Sequence, residues 1–206
     1  MPNNTRYYSY VVARDYGFAP NPFGEYCTLA TCKQKIRKSA SVGDWIFGIS
    51  GRKLNNRLLY AMKVNEKLTY NDYWNDLRFR YKKPVLNGSL KQMYGDNIYY
   101  YDEKKKLWHQ ENSHHSLDNG KTNHYNLERD TSGANILVSK VFYYFGVGAV
   151  KIPNSIKKNI VVGIGFKIIK NRTGKKLVEW LSKNFSLGYH NDPILFSNFE
   201  RYDGIS

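Results

Sequence analysis

The sequence predicts an α+β fold built around a curved or barrel-like sheet with a few short helices. Three observations predict it. Several stretches rich in Val, Ile, Tyr and Phe are bounded by Gly, Asn and Asp, as strands ended by turns are. Short amphipathic stretches stand singly between them, which matches neither a helical bundle nor a regular βαβ alternation. The 206 residues, 41% of them hydrophobic, suffice for one core, and length alone favours a single domain over residues 1–206.

The first strand is "RYYSYVVAR". The loop "YGFAPNPFGEY" follows, with Pro20 and Pro22 restricting the backbone and Gly17 and Gly24 allowing a sharp turn at each end. "TLATCKQKIRKSA" carries Leu29, Cys32 and Ile36 at helical steps, so a short helix is expected with Lys33, Lys35, Arg37 and Lys38 turned largely outward. Gly43-Asp44 turns the chain into the strand "WIFGIS", and "RLLYAMKV" is the next. "TYNDYWNDLRF" reads as a second helix, started by a capping box between Thr69 and Asp72. Residues 86–134 form a loop-rich insertion, in which "NIYYYDEKKKLWHQ" is expected to be a hairpin and "ENSHHSLDNGKTNHYN" a long surface loop. "NILVSKVFYYFG" and "NIVVGIGFKII" are strands, and "GKKLVEWLSKNF" is an amphipathic helix with Leu177, Trp180 and Leu181 on one face.

The net charge of +15, from 32 Lys and Arg against 17 Asp and Glu, creates a field that attracts polyanions, nucleic acid first among them. From Lys140 to Phe185 ten basic residues face the single acid Glu179. No apolar run reaches the roughly 18 residues of a membrane span, and no basic helix has the broad apolar face needed to lie on a bilayer. The start of the chain lacks the pattern of a secretory signal, so a cytoplasmic location is expected. Two cysteines, Cys27 and Cys32, and five histidines without paired metal-binding spacing argue against a metal site. No cofactor motif is visible, neither a phosphate-binding Walker loop nor a dinucleotide fingerprint.

The side chains able to recognise a base are concentrated in two regions. In the proline loop, Phe18 or Phe23 either stacks on a base, beside Tyr16, or plugs the end of the sheet. Asn21 offers the donor and acceptor that read a base edge, or else caps the turn. Around "GDNIYYY", Tyr94 and Asp96 would make a nucleobase clamp, with Asn97 beside them, unless Asp96 and Asn97 only build a turn. His114, His115 and Ser116 could bind phosphate or stack, and either imidazole could act as a general base near neutral pH. Asp44 is expected to bond backbone amides in its turn, and Trp45 to lie in the core. Phosphate contacts are expected from Lys33, Arg37 and Lys38 on the first helix, and from Arg78, Arg80, Lys82 and Lys83 after the second.

The order strand, loop, helix, Gly-Asp turn, strand, strand, helix, with "KSASVGDWIFG" at its centre, resembles the PUA-like superfamily that includes the ASCH and EVE domains. That resemblance implies a PUA-like curved sheet or partly open β-barrel with a nucleobase pocket. The segments "DYGFAPNPFGEYCTLATCK", "VGDWIFG", "LLYAMKV", "YWNDLRF", "GDNIYYY", "HHS" and "SKVFYYFG", in this order, resemble the nucleotide modification associated domain of the second type, a bacterial and phage family. The resemblance runs from about residue 7 to 150 and implies association with systems that install, read or process hypermodified DNA bases. Two functions follow as expectations. One is a binding module that takes one modified base of a nucleic acid into an aromatic and polar pocket beside a basic, phosphate-contacting surface. The other is an enzyme acting on modified bases or nucleotides, by base modification or by glycosylase-like or hydrolytic chemistry. Asp15, Asp44, Cys27 or His115 would then be the titratable group. The sequence does not decide the oligomeric state.

Overall fold

The computed structural model describes residues 5–132, 135–160, 163 and 165–204. Eleven strands run in chain order: β1 (Tyr7–Val12), β2 (Cys27–Leu29), β3 (Trp45–Ser50), β4 (Leu58–Lys63), β5 (Glu66–Leu68), β6 (Tyr99–Asp102), β7 (Leu107–Gln110), β8 (Ile136–Ser139), β9 (Val141–Tyr144), β10 (Phe166–Ile169) and β11 (Gly188–Tyr189). Six α-helices accompany them: α1 (Gln34–Ser39), α2 (Tyr70–Asn75), α3 (Leu90–Met93), α4 (His124–Thr131), α5 (Asn154–Lys157) and α6 (Asn171–Asn184). No helix among the described residues is long and apolar enough to cross a membrane.

The main sheet has the order β10-β1-β3-β4-β9-β11. It is antiparallel except where β1 pairs with β3 and β9 with β11. The order has two ends, so the sheet stays open, and of the two forms expected from the sequence the barrel is not the one found. Alternation along the strands gives each face its own core. Tyr8, Tyr10, Ile46, Tyr60, Met62, Phe142 and Tyr144 point to one face, where they meet Cys27 and Leu29 of β2, Leu137 of β8 and Ile36 of α1. Tyr7, Trp45, Phe47, Ala61 and Tyr143 point to the other, where Ile156 of α5 and Leu177 and Leu181 of α6 cover them. Trp45 and the aromatic run of β9 are therefore packing groups.

A three-stranded sheet, β2-β8-β5, and the β6-β7 hairpin carry a third core of Phe18, Phe23, Tyr26, Tyr70, Tyr73, Phe79, Tyr94 and Tyr99. Helix α2 begins with the expected capping box: Thr69 Oγ1 accepts from the Asp72 amide at 3.1 Å and Asp72 Oδ2 from the Thr69 amide at 3.3 Å. The first helix is shorter than the periodicity suggests, because Cys27–Leu29 pair with β8 as a strand before it starts. The expected strand "NIVVGIGFKII" is seen as β10 only; residues 161, 162 and 164 lie outside the described residues. The stretch expected as a long surface loop instead contains a buried histidine pair and the first turn of helix α4.

Helix α6 lies on the sheet through Gly174, where a Cβ would stand 2.1 Å from the Tyr7 ring. Gly174→Ala therefore forces the helix away from β1. The expected loss is about 1–3 kcal/mol, the cost of overpacking, despite alanine's roughly 1 kcal/mol better helix propensity. A urea titration should show a lower midpoint at unchanged slope, and an unchanged midpoint would mean that this contact yields freely.

Candidate active site

The fold brings four separate segments to one cavity of about 140 Å³. Tyr10 and Val12 of β1 form one wall, and the chain beyond β1 adds Ala13, Arg14, Tyr16, Phe18 and Ala19. The turn between β2 and α1 contributes Cys32 and Lys33, the segment after β7 gives His114 and His115, and Tyr202 closes the far side. Ring faces line most of this space: Phe18 stands 4.6 Å from His115 and 4.9 Å from His114, centroid to centroid, and Tyr16 stands 4.8 Å from His114.

Cys32 sits at a backbone reversal. Cys32 and Lys33 both adopt left-handed φ, +53° and +39°, which costs a residue with a Cβ on the order of 1–2 kcal/mol. Two bonds hold the turn: the Cys32 amide donates to Asp130 Oδ1 at 2.9 Å, and Arg37 Nε donates to the Cys32 carbonyl at 2.7 Å. The reversal places Cys32 Sγ 3.8 Å from His115 Nε2. The other ring nitrogen, Nδ1, lies 2.7 Å from Asp130 Oδ2. Asp130, carried by α4, also accepts from Tyr99 Oη at 3.0 Å and Arg129 Nε at 3.3 Å. Thiol, imidazole and carboxylate thus form one continuous chain, of which Cys32 and His115 both line the cavity.

Electrostatics follow from this order. Burial pushes the Cys32 thiol up, but the charge and hydrogen bond of His115 outweigh it, and the net shift is downward. Burial lowers the His115 imidazole, yet the Asp130 carboxylate and the Cys32 sulfur carry it above its ordinary range. Burial would raise Asp130, and His115, Arg129 and Arg37 hold it down instead. The three groups favour a thiolate-imidazolium pair anchored on a carboxylate, the arrangement of an activated sulfur nucleophile. His114 behaves oppositely. Burial and the neighbouring charge of His115 keep it neutral, with a pKa lowered to about 3, and its Nδ1 bonds the Glu200 carbonyl at 2.6 Å.

Several polar groups of the histidine segment find partners in the interior. Gln110 Nε2 and Asn126 Nδ2 each donate to the His115 carbonyl at 3.0 Å, the Tyr202 amide donates to the His114 carbonyl at 2.7 Å, and Ser116 Oγ accepts from the Ser113 amide at 2.9 Å. Of the residues expected to surround a base, Tyr16, Phe18, His114 and His115 share the cavity, while Ser116 lines a separate hollow beside Arg201. Tyr94 lies behind the wall, stacked on Tyr16. Asn21 is committed to the loop itself, donating to the Tyr94 carbonyl and accepting from Lys82. Phe23 packs against Tyr189 and Phe196. Asp96 accepts from Thr28 and Tyr73 in the interior, and Asn97 donates to the Tyr73 carbonyl.

Among the titratable candidates, Asp15 is buried away from the cavity and accepts from Tyr144 Oη at 2.5 Å. Asp44 accepts from the amides of Arg6 and Ser41, as a turn acid does. Burial pushes the Cys27 thiol up to about 12, leaving Cys32 as the ionisable sulfur. The expected phosphate ligands divide sharply. Lys33 borders the cavity, and Lys38 and Arg80 are exposed. Lys83 lies 3.4 Å from the Trp74 ring, and Arg78 pairs with Glu66 and Asp76. Arg37 and Lys82 are fully buried, because their charges serve interior acceptors: Arg37 holds carbonyls around α1, and Lys82 donates to Asn21 and to the Phe23 carbonyl.

Neither Cys32 nor Asp130 carries a motif that marks it as a functional residue. No local signal separates Cys32 from Cys27, and none marks Asp130 as a partner of a histidine fifteen residues earlier. Donor atoms of Cys32, His115 and Asp130 lie within 4.8 Å of one another, a spacing that could also suit a metal ion. Their order argues otherwise. Asp130 holds Nδ1 while the sulfur stands at Nε2, so an ion between sulfur and ring would have two protein ligands, fewer than the three or four of zinc sites.

A family model described as nucleotide modification associated domain 2 matches residues 4–200. No curated protein and no solved structure matches the chain.

Proposed function

The chain belongs to the nucleotide modification associated domain 2 family, and from that premise we propose that it is a thiol-dependent enzyme acting on a nucleotide-derived substrate. The observation that supports this reading is the chain from Cys32 through His115 to Asp130, with its sulfur in a ring-lined cavity. The Cys32 thiolate attacks an electrophilic carbon, a C–S bond forms as the bond to the leaving group breaks, and His115 gives its Nε2 proton to that group. Water, deprotonated by the now neutral imidazole, then cleaves the C–S bond and restores the thiolate. Asp130 holds the ring's orientation and its positive charge throughout.

A cavity of about 140 Å³ that opens to the surface suits a base or a base-sized substituent. Tyr16, Phe18 and Tyr202 supply faces for such a group, and that aromatic lining also favours a second reading: a module that reads a modified base in DNA without turning it over. In either case exposed cations such as Lys38, Arg80 and, on α6, Arg172, Lys175 and Lys176 provide for a nucleic-acid backbone. The finer architecture belongs to the same proposal: one PUA-like domain over residues 1–206, although the cavity is bordered by β1 and the turn ahead of α1 and not by the Gly43-Asp44 turn or β3. A reducing cytoplasm is the setting that keeps such a thiol free.

Alkylation by iodoacetamide, followed by peptide mass spectrometry across pH, tests the thiol. Cys32 should react at pH 6–7, where an ordinary thiol is only a few per cent ionised, and Cys27 should stay unmodified. His115→Ala should move the profile upward and slow the reaction at pH 7 by about tenfold or more. A wild-type profile like that of a free thiol would overturn the enzyme reading. Nucleotides bound unchanged by a reactive Cys32 would favour the second.

A further inference from the structure

We infer that Arg14 and Lys33 form an anion subsite beside Cys32, so that the group entering the cavity carries a phosphate or carboxylate next to the carbon under attack. This rests on the thiol reading above. The cavity's lining includes these two cations and neither Asp nor Glu. Among the described residues, the side chains of Arg14 and Lys33 make no hydrogen bond and no ion pair. Each only leans on a ring, Arg14 4.9 Å from the Tyr202 centroid and Lys33 4.7 Å from that of Tyr10. Other cations of the chain are used: Arg6 on Asp44, Arg78 on Glu66 and Asp76, Arg129 on Asp130. Lys33 lies over the face of the Tyr10 ring and does not bond its hydroxyl, which pairs with that of Tyr60 at 2.7 Å.

Lys33 is half-buried, and burial lowers the affinity of its amine for a proton. The negative charge beside it is the Cys32 thiolate. That charge disappears as the sulfur bonds to carbon, and His115 becomes neutral as it protonates the leaving group. The covalent state therefore leaves the two cations Arg14 and Lys33 facing the substrate with no anion beside them, unless the substrate brings one. A planar guanidinium at the mouth and an ammonium deeper inside suit an oxyanion with oxygens on two sides.

Two small reagents of nearly equal size test this without knowledge of the substrate. Iodoacetate carries a carboxylate beside its electrophilic carbon, and iodoacetamide a neutral amide. In both, the thiolate displaces iodide. The ratio of their rates at Cys32 cancels any change in thiolate population. It should exceed that of a small free thiol in the same buffer by about tenfold, with iodoacetate showing saturation. Arg14→Gln and Lys33→Met should each return the ratio toward the free-thiol value. Lys38→Met, which removes an exposed charge from α1, should leave it unchanged and so separates a local subsite from the field of the whole protein. Inorganic phosphate and acetate as competitors distinguish the two anion classes. A free-thiol ratio with normal iodoacetamide reactivity, or an equal loss in Lys38→Met, would overturn the subsite alone. A Cys32 inert to both reagents would overturn the thiol reading and this inference with it.

Discussion

Asp130→Ala is expected to destabilise the protein by about 3–5 kcal/mol, the cost of breaking a buried ion pair by removing one partner. The carboxylate is fully buried and accepts from His115, the Cys32 amide, Tyr99 and Arg129. Alanine leaves all four donors without this acceptor, the imidazole among them. The pH dependence carries the signature. Asp130 titrates at about 2 in the folded protein against an ordinary 3.8, so its contribution is present above 3.8 and fades as pH falls toward 2. His115 is raised from 6.5 to about 9, so its contribution is whole below 6.5 and is lost as pH rises through 9. The gap between wild type and Asp130→Ala should be widest between these windows, near pH 5–6, and narrower at pH 3 and pH 10. Denaturant midpoints at the three values read it directly. A gap independent of pH would show that Asp130 acts by packing alone.

Arg37→Ala should be comparably damaging, by about 3–5 kcal/mol, although a basic residue on a short helix looks expendable. Its guanidinium is enclosed. It donates to the carbonyls of Cys32 and Asn135 at 2.7 and 2.8 Å, to Tyr70 Oη at 2.9 Å and to the Asp130 carbonyl. These bonds tie the Cys32 turn, α2 and the end of α4 together. Arg37→Lys keeps the charge but lacks the planar fork that serves several acceptors at once, so it should recover only part of the loss. Because the Cys32 carbonyl is one of the four acceptors, the lysine variant should also slow iodoacetamide at Cys32. A melting temperature equal to wild type for Arg37→Ala would sink the assignment.

Four strands of the main sheet were legible because their chemistry is local, whereas the two-residue β11 carries no such signal. β1, β3, β4 and β9 are aromatic or branched runs ended by turn residues, and the capping box of α2 is written in four consecutive letters. Helix α4 was not legible, because the face it buries includes Asn126 and Asp130, and polar residues give no hydrophobic period. β2 was hidden because three residues of strand continue without a break into the apolar spacing of α1. The convergence of Tyr16, Phe18, His114 and His115 could be expected from their chemistry, whereas the burial of the histidines could not. Their enclosure depends on partners such as Gln110, Asn126 and Tyr202, whose roles appear only once the chain is folded. The same holds for Arg37 and Lys82: a positive charge reads as surface until its carbonyl acceptors are seen.

The far wall of the cavity is made by the segment around Tyr202, pinned through its amide to the His114 carbonyl and through Arg201 to the Ser113 carbonyl. Cys32 is translated long before that segment, and before His115 and Asp130 as well. The contacts of this sulfur with His115, and through it with Asp130, therefore cannot form until translation has passed these later residues. A thiol probe that distinguishes Cys32 with and without those partners would thus read how far the chain has folded.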